Sequence, residues 1–206
     1  MSSSHYVLEY DDTSKARGCP QYLAGDLNHD WQWDHFDPNP DRFAVTVAYE
    51  YRAKHTVVDF DYGMDGWLVS ERFAQVCRAA GMAVRCIPVK MLQSSREEAH
   101  KSYVFMLTST WLPVLDMERS EYTVDKDLAT GEPIFDKYFP GVPHLEAIAK
   151  AAVDPRKMKN FGIVRAVDVK GRHVCTAAFK RECERQRLLG VRFVPAETFS
   201  YKPFWL

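Results

Sequence analysis

The chain has 206 residues, 46% of them apolar, and its 27 basic side chains nearly balance 28 acidic ones, for a formal charge of −1. This composition excludes a disordered chain, a collagen, a coiled coil and a polybasic nucleic-acid arm, and at this length a sizeable core can form without metals or disulfides. The near-zero charge sums two opposites: residues 1–66 hold 12 acids and 5 bases, so the rest of the chain is basic.

The first residues, Met1-Ser2-Ser3-Ser4-His5, lack the basic and apolar regions of a secretory signal. From Phe43 to Tyr51, FAVTVAYEY alternates with Phe43, Val45, Val47, Tyr49 and Tyr51 on one side, which predicts a strand. A second run, His55 to Asp61, follows Arg52-Ala53-Lys54 as if across a hairpin. Trp67-Leu68-Val69 reads as a short strand. Ser70 then caps a helix with Phe73, Val76, Cys77 and Ala80 on its apolar face, Gly81 ends it, and Ala83 to Val89 is the next strand.

Strands are expected at Tyr103 to Thr108 and at Leu112 to Met117, followed by a polar turn from Asp125 to Pro133. Pro143 suits a first helical position, and Leu145, Ile148, Ala149 and Ala152 predict a helix that Asp154-Pro155 ends. After a strand from Gly162 to Val169, the earlier unit recurs. His173-Val174-Cys175 precedes Thr176 as cap, Phe179 and Cys183 follow three and seven residues on, and Val191 to Pro195 echoes Val84 to Pro88 with one residue inserted. The apolar tail, Phe199 to Leu206, is expected to dock. The fold class is α+β, a mixed-sheet protein with two related strand-helix-strand units. We divide the chain into an acidic β-rich N-terminal extension (1–64) packed on a main domain (65–206), the latter holding a divergent duplication (65–89 and 170–196).

Residues 26–41 are the densest polar cluster, with five carboxylates and two imidazoles. Asp26, Asn28 and Asp30 mimic the start of a calcium loop, but Trp31 and Asp37 stand where such a loop needs Gly and Glu. Large apolar groups amid carboxylates suit a cationic partner instead. The expected partner-binding residues are Asp26, Asp30, Trp31, Trp33, Asp34, Phe36 and Asp37. Five cysteines at spacings that match no zinc motif or disulfide framework point to a reducing compartment, and no metal or cofactor is expected.

The order of several short pieces resembles a known family. Leu68-Val69-Ser70-x-x-Phe73 is followed by Tyr103-Val104-Phe105, Val114-Leu115-Asp116-Met117-Glu118-Arg119-Ser120, Ile134-Phe135 and Leu189-Gly190-Val191-Arg192-Phe193. Together they resemble immunity protein family eleven, a close relative of family forty-three, over roughly residues 65–196. The resemblance implies a non-enzymatic cytoplasmic protein of a bacterial polymorphic toxin system, which binds and silences a cognate toxin. Ser70, Asp116, Ser120, Gly190 and Phe193 are motif residues with structural roles. The segment before Asp65 lies outside the pattern, and the partner face is sought there; the partner it would fit is a basic toxin.

Catalytic signals are thin. His173 and Cys175 could share one face of a strand, but no thiol-hydrolase signature surrounds them, and no phosphate-binding or serine-nucleophile motif occurs. Lys180, Arg181, Arg185 and Arg187 alternate with Glu182 and Glu184, a solvated helix face rather than a nucleic-acid stripe. No apolar run reaches the roughly 20 residues of a membrane helix. The sequence thus points to stoichiometric inhibition of a toxin. A different intracellular protein interaction on the same fold and an unrecognised enzyme are the alternatives.

Overall fold

A computed structural model describes residues 3–11, 25–28, 33–34, 36–53, 58–60, 68–93 and 95–203. Two five-stranded mixed sheets carry the fold. In the first, β12 (Val191–Pro195), β1 (His5–Tyr10), β11 (His173–Thr176), β10 (Ile163–Ala166) and β7 (Trp111–Leu112) lie in that order. In the second the order is β2 (Gly25–Leu27), β3 (Tyr49–Ala53), β5 (Val84–Gln93), β6 (Tyr103–Thr108) and β4 (Leu68–Ser70). A separate pair, β8 (Glu121–Val124) and β9 (Leu145–Lys150), packs on the outer face of the first sheet through Leu145 and Ile148.

The two strand-helix-strand units match cap for cap. Ser70 Oγ accepts the Phe73 amide to start α1 (Glu71–Ala79), and Thr176 Oγ1 accepts the Phe179 amide to start α2 (Ala177–Arg185). α1 closes with Gly81 N–H to Arg78 O and Met82 N–H to Cys77 O; α2 closes with Arg187 N–H to Glu184 O and Leu188 N–H to Cys183 O. These are the two bonds of a Schellman stop, which needs a left-handed residue at its centre. Gly81 takes that place at φ +88° and Arg187 at φ +55°. The one-residue insertion therefore falls after Leu188.

Each helix joins two parallel strands that flank a third strand antiparallel to both. In the first unit that middle strand is β6, which follows in sequence; in the second it is β1, from the other end of the chain. The span 1–64, read as an extension, thus supplies an interior strand to each sheet, β1 and β3. The helices meet between the sheets, where Phe73, Cys77, Phe179 and Cys183 join Tyr6, Leu8, Val104 and Met106 in a shared core. On β6, Val104 and Met106 face that core while Tyr103, Phe105 and Leu107 face a second one, so these five residues are buried on both sides of the strand.

Several expected elements differ. The run from Phe43 enters the ladder only at Tyr49, because Arg85 Nη1 donates to the Pro40 and Phe43 carbonyls at 2.7 and 2.8 Å and holds that stretch outside the sheet. Its alternation holds only in part: Phe43, Tyr49 and Tyr51 share a core with Val47 packed against it, but Val45, expected on the same side, is 48% exposed. The expected hairpin partner lies partly outside the described residues; β3 pairs with β2 and β5 instead, and Phe60 bridges Val69. The strand expected at Leu112 to Met117 stops at Leu112, because the Asp168 carboxylate takes the Val114 and Leu115 amides.

The helix expected from Pro143 is the strand β9. A register shift opposite Thr123 and Val124 leaves Glu146 without a facing partner, which moves the inward positions to Leu145, Ala147 and Ile148. A bulge turns the strand's spacing of two into three, and this mimics a helical repeat. The strand expected to reach Val169 ends at Ala166 in a 3-10 turn over Val167–Val169. The tail docks as expected as far as Tyr201, which exchanges backbone bonds with Ile148; residues 204–206 lie outside the described part.

Candidate partner-binding cleft

One open cleft of about 580 Å³ lies where the 33–37 loop faces the arm that leads into β9. Trp111, Val167 and Leu145 contribute to its lining, with the Asp168–Arg172 turn and Tyr201 around them. Asp34 ties its two sides together: the carboxylate accepts from Lys137 Nζ at 2.5 Å, Tyr138 OH at 2.9 Å and the Phe36 amide at 3.0 Å. Desolvation opposes ionisation of Asp34, but these three donors prevail and hold its pKa below the usual carboxylate range. Across the arm, the Asp136 carboxylate accepts the Tyr138 and Phe139 amides and stands 3.5 Å from His144 Nε2.

The Asp168–Arg172 turn is built from unusual backbone. Lys170 sits in the left-handed region at φ +52° and Gly171 follows at φ +67°. A Cβ on Gly171 would come within 2.9 Å of the Phe36 ring, so the missing side chain lets that ring lie on the turn. Phe36 also tilts against Trp111 at 6.2 Å between centroids, and the Arg165 guanidinium lies 4.9 Å over the Trp111 ring. Asp168 is buried; its pKa is raised by desolvation against the pull of the two amides it accepts, at 2.9 and 2.7 Å. Lys170 is half-buried, which lowers its ammonium pKa against the distant pull of Asp125 and Glu146.

Of the residues expected to meet a partner, Asp34 and Phe36 line this cleft. Trp33 packs edge-on against Phe43 at 5.5 Å, on the core, and its buried Nε1 has no hydrogen-bond partner. Asp37 is buried in a turn, accepting the Asn39 amide at 2.8 Å and Arg42 Nη1 at 3.4 Å. Asp26 pairs through its backbone with Arg52 in the sheet. Asp30 and Trp31 lie outside the described residues.

The family-motif residues sit at turns and packing points. Asp116 accepts the Glu118 and Arg119 amides, and Ser120 Oγ exchanges bonds with the Ala152 backbone. Gly190 has φ +84°, and a Cβ there would stand 2.9 Å from the Phe60 carbonyl oxygen. Phe193 meets Tyr6 edge to face at 6.4 Å. Sequence reasoning missed Lys170, Tyr201 and His144 because no local pattern marks them, and Phe135 was visible only as a motif residue.

His173 and Cys175 are both buried within the fold. Burial drives the His173 imidazole pKa well below its ordinary value, reinforced by Arg165 and Arg172, and drives the Cys175 thiol well up. Cys183 is pushed up to about 12, by desolvation first. Neither thiol is therefore poised as a thiolate. Among the described residues no group of His, Cys, Asp or Glu is arranged to hold a metal ion, and no helix is long and apolar enough to cross a membrane.

The architecture defines an α+β protein of two matched strand-helix-strand units with an open, aromatic-walled cleft to one side. The chain belongs to the immunity protein family Imm11, whose family model matches residues 7–198. The match begins within β1, so the N-terminal part lies inside the family's span and not before it, as the motif pieces suggested. No curated protein matches the sequence.

Proposed function

We propose that this protein binds a cognate toxin domain of a polymorphic toxin system in the bacterial cytoplasm and neutralises it by stoichiometric contact, without catalysing a reaction. Membership of an immunity protein family over residues 7–198 is the observation that carries this reading. The cleft supports this reading: Phe36 and Phe135 are 43% and 52% exposed beside paired charges, a mixture of apolar anchor and polar rim suited to a protein partner. Of the residues singled out in the sequence, Asp34 and Phe36 are the ones proposed to reach that partner from the described N-terminal segment, and Asp26, Asp30 and Trp31 are kept as proposed contacts with a basic toxin. Trp33 and Asp37 support the loop from beneath.

Nucleic acid is not the proposed partner, since part of the basic C-terminal stretch pairs internally. Arg185 meets Glu182 at 2.6 Å, Lys180 meets Glu184 at 3.7 Å, and Arg192 meets Glu9 at 2.5 Å. The test is co-expression with the toxin domain encoded beside this gene. Growth should be rescued, and the purified pair should run as one complex of fixed stoichiometry in light scattering. Continued killing at equal expression, with no complex, refutes the proposal.

A further inference from the structure

We infer that the cleft takes a protruding toxin segment with a large apolar side chain next to a carboxylate, the apolar group lodging against Phe36 and Phe135 and the carboxylate reaching Lys170. This rests on the immunity reading above and specifies its contact site. Four large hydrophobic side chains are exposed among the described residues, and two of them, Phe36 and Phe135, stand on this one cleft. Its volume of about 580 Å³ has room for more than one side chain.

The charges on its walls decide the polarity of the guest. Lys137 is held by Asp34, His144 faces Asp136, the Asp168 carboxylate is occupied by the Val114 and Leu115 amides, and Arg172 has an interaction of its own. Lys170 differs: its ammonium lies 5.3 Å over the Tyr201 ring, and among the described residues no carboxylate is in ion-pair contact with it. Asp125 and Glu146 act on it only from a distance. A half-buried ammonium has lost part of its hydration without gaining a counter-ion, and a carboxylate brought in by a partner supplies one in a partly desolvated site, where the pairing counts for more than in open solvent. The adjoining φ > 0 pair, Lys170 and Gly171, seats Phe36 on the turn that carries this lysine, and both line the cleft, so the apolar and cationic groups are presented to one guest.

The experiment is calorimetric titration of the full chain with the neighbouring gene's toxin domain, inactivated in its own active site, alongside thermal melts of every variant. Phe135→Ala and Lys170→Glu are each expected to weaken Kd by about tenfold or more. Lys170→Arg keeps the charge and stays within about threefold, and Lys159→Ala on an exposed turn changes nothing. Raising salt should weaken the wild type more than Lys170→Met. Wild-type affinity in both Phe135→Ala and Lys170→Glu overturns this inference and leaves the immunity reading intact. Failure of the wild type to bind overturns both. Self-association lost in Phe135→Ala would assign the cleft to a second copy of the chain and overturn it as well.

Discussion

The Phe73 and Phe179 rings meet edge to face, with centroids 6.2 Å apart and planes at 87°. Each stands three residues after its helix cap, Ser70 or Thr176, so equivalent positions of the two units contact each other where α1 crosses α2. A duplicated unit that packs on its own copy produces this self-pairing, and we propose that origin for the 65–89 and 170–196 segments. Phe73→Leu and Phe179→Leu should each cost about 1–3 kcal/mol. Their double variant should cost less than the sum by about 0.5–1.5 kcal/mol. Urea unfolding of the four proteins in the cycle measures this, and strict additivity would show that the rings are not coupled.

Arg187 occupies the left-handed stop that Gly81 fills in the other unit. A side chain there carries a steric penalty that glycine avoids, and Arg187 is exposed with no ion pair among the described residues to compensate. Arg187→Gly is therefore expected to stabilise the protein by about 0.5–1 kcal/mol, read as a higher urea midpoint at unchanged slope. The reverse change, Gly81→Arg, should destabilise it, and more strongly, because a Cβ at Gly81 also comes within 3.1 Å of the Asn160 carbonyl oxygen.

Asp168 holds the Val114 and Leu115 amides, and both of those residues are fully buried. Asp168→Ala leaves two buried donors without acceptors, at a cost of about 2–4 kcal/mol. Asp168→Asn keeps one acceptor oxygen and should cost less. Thermal melts of the two variants order them, and equal losses would mean that the carboxylate's charge rather than its acceptors matters.

His173 is buried and held neutral, with a folded pKa well below that of the unfolded chain. Below about pH 6.5 the unfolded state takes up a proton that the folded state refuses. Stability is thus fully present above that pH and falls as the pH is lowered, by up to about 1.4 kcal/mol per pH unit for this one group. His173→Gln removes the group, so its stability should fall less steeply between pH 7 and 5 than the wild type's, whatever its absolute value. Parallel profiles would count against the assignment.

How much of this was legible beforehand depended on how local each cause is. The helix caps, the apolar faces of α1 and α2 and the Gly81 stop were readable because each is written within about ten residues, where side-chain oxygens and backbone conformation act on their own neighbours. The shape of β9 was not, since its bulge is set by the pairing with β8, twenty and more residues away. The N-terminal cluster shows both limits. Its composition announced aromatic and acidic groups, but whether each faces a core or a cleft follows from what packs beneath it. Phe43 draws Trp33 inward, while Gly171 gives Phe36 a seat at the rim.

By itself, then, the sequence determined the α+β class, the two matched units and the family motif, all products of short-range spacing. Only the tertiary structure decided that β1 completes the second unit from the opposite end of the chain, because strand pairing depends on which edges are free and not on order along the chain. It also decided where the cleft lies. Phe36, Phe135, Lys170 and Tyr201 come from four separated stretches, brought to one cleft by the packing of β9 and the Asp168–Arg172 turn on the outer side of the first sheet.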